Sequence, residues 1–92
     1  FDQNIDSWNV SLVTNMGAMF NGCSVFNQPL NSWDVSLVGN MTLMFQNCIN
    51  FNQDLSTWCV QLIPTAPLSF SSGAVSWVLP QPIWGITSSP PC

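Results

Sequence analysis

The segment that opens Phe1-Asp-Gln-Asn-Ile and closes at Cys23 is written again from Phe26 and, less faithfully, from Phe51, so the chain is built on a 25-residue repeat. A period of this length points to stacked layers rather than to an independently folded globule. In register, the copies separate into columns. The apolar ones are Phe1/Phe26/Phe51, Ile5/Leu30/Leu55, Trp8/Trp33/Trp58, Val10/Val35/Val60, Leu12/Leu37/Leu62, Val13/Val38/Ile63, Met16/Met41, Met19/Met44 and Phe20/Phe45/Phe70. No single copy can close a core alone, so the layers must stack and each column becomes a ladder of like side chains.

Within one copy, Trp33 and Val35 stand two apart, the spacing that points both side chains to one face of a strand. Val38, Met41, Met44 and Phe45 recur at three and four residues, the period of a short helical or 3-10 turn with one apolar stripe. Asn21-Gly22 and Gln46-Asn47 supply turn chemistry. The expected fold is therefore a leucine-rich-repeat-like solenoid, with short parallel strands on one face and short helical or 3-10 turns on the other. It has about three rungs over residues 1–75, of which 51–75 are degenerate, and a non-repeat tail over 76–92.

The run Phe26-Asn-Gln-Pro-Leu-Asn-Ser-Trp-Asp-Val-Ser-Leu-Val-Gly-Asn-Met-Thr-Leu-Met-Phe-Gln-Asn-Cys resembles the BspA-type leucine-rich repeat family in its surface-protein variant. The resemblance covers residues 1–63 well and runs loosely to 75. It implies an extracellular or surface-displayed scaffold for adhesion and protein binding, with no shared active site. It also implies that Cys23 and Cys48 are small buried thiols, and that Asn15 and Asn40 point inward to satisfy the backbone of adjacent turns.

The third copy breaks the pattern at Pro64-Thr-Ala-Pro-Leu-Ser-Phe70, where two prolines oppose a helix and predict an extended or irregular arm. Residues 76–92 then carry Trp77, Trp84 and several prolines without any charge. Three readings stand: a cap or protein-docking segment over the open end, a membrane-interface segment resting on Trp77 and Trp84, or a divergent end produced by a frameshift or gene decay. A tail with no proline-free apolar run of about 20 residues is not a transmembrane helix.

The only charged side chains are Asp2, Asp6, Asp34 and Asp54. Without Lys or Arg to displace counterions from phosphates, nucleic acid is excluded as a partner. Four Asp without His, Lys, Glu or Tyr give no acid–base or nucleophilic constellation, and the chain is read as non-enzymatic, with no cofactor. No Cys-x-x-Cys pair, histidine or Asp-rich calcium loop is written, so no metal site is expected. A surface whose polarity comes from Asn, Gln, Ser and Thr has little charge to oppose association. Because Phe1 opens directly on a repeat, the first rung is expected to meet another protein, another copy or upstream residues, as in a fragment or subunit of something larger.

Cys23 and Cys48 share a column, and stacking at about 4.8 Å allows a Cys23–Cys48 disulfide as an alternative to two free thiols. A Cys59–Cys92 bridge would fold the tail back over the last rung in an oxidising compartment. Asn9-Val-Ser and Asn40-Met-Thr match the N-glycosylation pattern; Asn9 faces outward, whereas the inward placement of Asn40 argues against a glycan there.

Two functions follow. The first is a surface-displayed or extracellular protein-interaction or adhesion module, its outward columns Ser7/Ser32/Thr57, Asn9/Asp34/Cys59 and Ser11/Ser36/Gln61 lying against a protein or glycan. The alternative is a structural subunit that stacks or docks through uncapped ends into a filament or larger complex, lumenal or peripheral to a membrane, with the tail as a third, interfacial contact.

Overall fold

Each copy is a string of four-residue turns in the computed structural model, which describes residues 1–85. The N–H of Trp8, Trp33 and Trp58 bonds back three residues to Ile5, Leu30 and Leu55 at 3.0, 3.1 and 3.0 Å. Val13, Val38 and Ile63 do the same to Val10, Val35 and Val60, each at 3.0 Å. Short polar side chains fix the corners between these turns. Oδ1 of Asn4, Asn9, Asn15, Asp34, Asn40 and Asp54 each accepts the N–H two residues on, at 2.8–3.1 Å. Such local bonds give the backbone an alternative to helix or ladder, and here the alternative wins throughout.

The expected solenoid of strands and helical arms is accordingly overturned. Among the described residues there is no helix, and the single bridged pair is Asn15 with Asn40, parallel. The body measures 32 × 26 × 22 Å. The strand fails because Leu30–Trp33 and Val35–Val38 are both closed turns. Trp33 and Val35 still point inward together, as their spacing predicts. The helical arm fails because Ala18 and Leu43 sit at φ +57° and +62°, left-handed values that end a right-handed path after one turn.

Copies do lie one over another, but the second junction is shifted. Met16, Ala18, Phe20 and Gly22 donate to the carbonyls of Asn40, Thr42, Met44 and Gln46, 24 positions on, whereas Leu43, Phe45 and Asn47 donate to Leu68, Phe70 and Ser72, 25 positions on. The left-handed residues record the same shift, since Ala18, Leu43 and Ser69 form one series and Gly22, Asn47 and Gly73 another, each spaced 25 and then 26. One extra residue thus lies between Ile63 and Pro67. Phe70 consequently occupies the place of Met44 rather than that of Phe45, and Trp77 the place of Phe51.

The core is a column of rings. Phe26 lies 4.6 Å from Phe20 and 5.8 Å from Phe51 between ring centroids, Phe45 lies 4.5 Å from Phe51, and Trp77 meets Phe51 edge-on at 4.8 Å. Indole N–H groups tie the tiers together, Trp33 to the Ile5 carbonyl at 3.0 Å, Trp58 to Leu30 and Trp77 to Gln53, both at 2.8 Å. A second ladder explains the Phe-Asn-Gln signature. Asp2 Oδ1 accepts from Asn27 N and Gln28 Nε2, Asn27 Oδ1 from Asn52 N and Gln53 Nε2, and Asn52 Oδ1 from Val78 N and Leu79 N, all at 2.9–3.0 Å. Beneath the third copy, Trp84 stands edge-on to Phe70 at 4.8 Å and Leu55 N bonds to Pro80 O at 2.9 Å.

Candidate interaction face

The outward positions read from the sequence fall where the turns leave room for them. Ser7, Asn9, Ser32, Asp34, Thr57 and Gln61 are exposed, and Ser11, Ser36 and Cys59 are half-buried. The flanking Trp33 and Trp58 stack with planes within 5°, which aligns the columns of these two tiers. Much of their hydrogen-bonding capacity is already used. Asn9 Oδ1 accepts from both the N–H and the hydroxyl of Ser11, at 3.1 and 2.7 Å, and Asp34 Oδ1 accepts from Ser36 at the same two distances. The Ser36 hydroxyl, and behind it the Ser36 N–H, hold the Asp34 carboxyl below its ordinary range, and Ser56 does the same for Asp54. Asp2 is lowered first by the Asn27 N–H and then by the Gln28 amide. All three carboxylates are exposed, so these are locally ordered anions at the surface.

Beside these columns stands a feature that the sequence reading placed in the core. Leu12, Leu37 and Leu62 are 84%, 45% and 51% exposed, each at the third position of a turn whose outer members, Val10/Val13, Val35/Val38 and Val60/Ile63, supply the inward contacts. The signal was present in the sequence: in a Val-Ser-Leu-Val turn closed on two aliphatics three apart, the middle pair must face out. The result is an apolar ridge running down the outside of the molecule, flanked by Ser11, Ser36 and Gln61.

The other candidates move. Trp77 is 8% exposed and buried against Phe45 and Phe51, and Trp84 is half-buried on Phe70, so neither ring projects as a docking tail. Asn40 is exposed rather than inward, and Asn15 and Asn40 serve their own turns; the amides that reach across copies are Asn27 and Asn52. Cys23 and Cys48 are free thiols and not a disulfide. The Cys48 thiol instead donates to Phe20 O at 2.8 Å, and burial together with the neighbouring Cys23 pushes its pKa up to about 11. The Cys59–Cys92 pairing lies outside the described residues, because Cys92 does. Among the described residues no group of three His, Cys, Asp or Glu is placed to hold a metal ion, and no helix is long and apolar enough to cross a membrane.

The described residues thus form a turn-built repeat body with an apolar ridge on its outside. The chain belongs to the family described as "Mycoplasma protein of unknown function, DUF285", whose model matches residues 1–76. No curated protein and no solved structure matches it.

Proposed function

We propose that this protein is a non-enzymatic protein-interaction or adhesion module displayed outside the cell. The observation that carries the reading is the ridge Leu12/Leu37/Leu62, three large aliphatics exposed in register beside a polar, cation-free face. Isolated surface leucines need no explanation, but a repeated column of them does. The ridge supplies the desolvated centre of a contact, and the Ser, Asn and Asp columns supply its rim. With carboxylates as its only charged side chains, the face suits a partner that is neutral or basic. The resemblance to BspA-type surface proteins supports the extracellular placement.

The experiment is binding of the bacterially produced chain to an array of extracellular matrix proteins and glycans. The array is repeated with Leu12, Leu37 and Leu62 all replaced by Ser and folding checked by near-ultraviolet circular dichroism. Loss of binding in a folded variant supports the reading; binding that is unchanged refutes it.

A second reading, stacking into a larger assembly, rests on the first copy. Phe1, Trp8 and Met19 are 58%, 53% and 40% exposed, whereas their counterparts Phe26, Trp33 and Met44 are buried beneath another tier. A further copy of the motif is the chemistry that fits that surface. Light scattering on the isolated chain tests it, and a monomer at high micromolar concentration rules out self-stacking.

A further inference from the structure

We propose that Asn9 is an acceptor for N-linked glycosylation, an assignment that goes beyond the interaction reading and rests on its extracellular placement. Two Asn-x-Ser/Thr patterns occur, Asn9-Val-Ser11 and Asn40-Met-Thr42, and because Asn40 is exposed, the inward placement expected for it does not separate them. The structure separates them.

At Asn9 the carboxamide is turned so that Oδ1 takes two hydrogen bonds from Ser11, one from its N–H at 3.1 Å and one from its hydroxyl at 2.7 Å. That leaves Nδ2 of this exposed residue with no hydrogen bond among the described residues. The hydroxyl that the pattern requires is therefore engaged with the very amide that reacts. The same turn is built by Asp34 with Ser36 and by Asp54 with Ser56, where the side chain is a carboxylate and has no nitrogen to modify.

At Asn40 the arrangement differs in two respects. Oδ1 accepts only the Thr42 N–H, at 2.9 Å, with no bond to the Thr42 hydroxyl. Nδ2 is folded against the first copy at Gly17, where a Cβ would come within 3.1 Å of it. A glycan there would have to be seated in the narrow space beside Gly17 of the first copy.

The reaction is a group transfer. Asn9 Nδ2 attacks the anomeric carbon of a polyprenyl-diphosphate-linked oligosaccharide, forming a C–N bond. The C–O bond to the diphosphate breaks, the lipid diphosphate leaves, one Nδ2 proton passes to a base of the transferase, and no electrons are gained or lost.

The test is translation of the full chain behind a cleavable secretion leader in the presence of eukaryotic microsomes, with peptide N-glycosidase digestion and peptide mass mapping. One enzyme-sensitive glycan is expected. It should be lost in Asn9→Gln and Ser11→Ala, and retained in Ser11→Thr and Asn40→Gln. An unmodified Asn9, or a glycan lost only in Asn40→Gln, overturns the proposal. Because the ridge experiment uses unglycosylated chain, the two readings fail independently.

Discussion

Trp33 and Trp58 stack with ring centroids 6.5 Å apart, and the indole N–H of each donates to a carbonyl 28 residues earlier in the chain, so one side chain serves both as core filler and as a rivet between tiers. Trp33→Ala should cost about 3–5 kcal/mol, enough to unfold so small a body. Trp33→Phe keeps most of the ring but removes one of the two donors to the Ile5 carbonyl, which retains the Trp8 N–H, and should cost about 0.5–1.5 kcal/mol. Trp8→Ala, at a half-exposed position, should cost under about 1 kcal/mol. Urea denaturation of the three variants checks this order; equal losses at Trp8 and Trp33 would contradict the tiered core.

Gly22 and Gly73 share a column and a left-handed backbone, at φ +76° and +79°. A Cβ at Gly22 meets open space, while one at Gly73 would collide with Asn47 Oδ1. Gly22→Ala should therefore lose only the conformational preference, about 1–2 kcal/mol. Gly73→Ala should lose more, because Asn47 must also move. The measurement is the difference in midpoint of thermal unfolding.

The two free thiols should react unequally. Cys23, half-buried, is expected to take iodoacetamide in the native protein, and Cys48 only after denaturation. The raised Cys48 pKa also sets an alkaline limit. Its contribution is fully present below the unfolded value near 9 and is lost as pH rises through about 11, since the unfolded thiol ionises first. Cys48→Ala should flatten the fall in stability between those two values.

At the acid end the sign reverses. Asp2, Asp34 and Asp54 are lowered in the folded state, so each stabilises above the ordinary value of 3.8 and loses that contribution as pH falls below it. The double variant Ser36→Ala, Ser56→Ala removes the first cause of two of these shifts and should make unfolding between pH 4 and 2 less steep. These carboxylates are exposed, so the effect should also weaken in high salt.

Much of the interior was legible because a repeat announces its own columns: Phe26 with Phe51, Trp33 with Trp58 and Val35 with Val60 are buried together as the spacing predicts. The element type was not legible. Two-residue spacing fits a strand, but it also fits an inward pair set either side of a turn corner, and the Asx bonds of Asp34 and Asn40 decide for the turn. Leu37 was misplaced for the same reason, since hydrophobicity alone cannot tell the inner from the outer members of a turn. Phe70 misled differently. It stands 25 residues after Phe45 and looks like its counterpart, yet only the backbone reveals that Ser71 has taken that place. Of the outward columns expected for the candidate face, Ser7, Asn9, Ser32, Asp34, Thr57 and Gln61 are exposed, whereas Ser11, Ser36 and Cys59 are drawn half under by the turns they close.

In a β-ladder, one added residue turns every later side chain to the opposite face. Here the extra residue before Pro67 is absorbed by the loop that carries it, and Phe70, Ala74 and Trp77 come back into their columns three, seven and ten residues later. A body made of corners thus tolerates changes in the length of its own unit. Its gene can gain or lose a codon between tiers without losing the molecule, so drift in repeat length is open to a chain of this design where a strict sheet would forbid it.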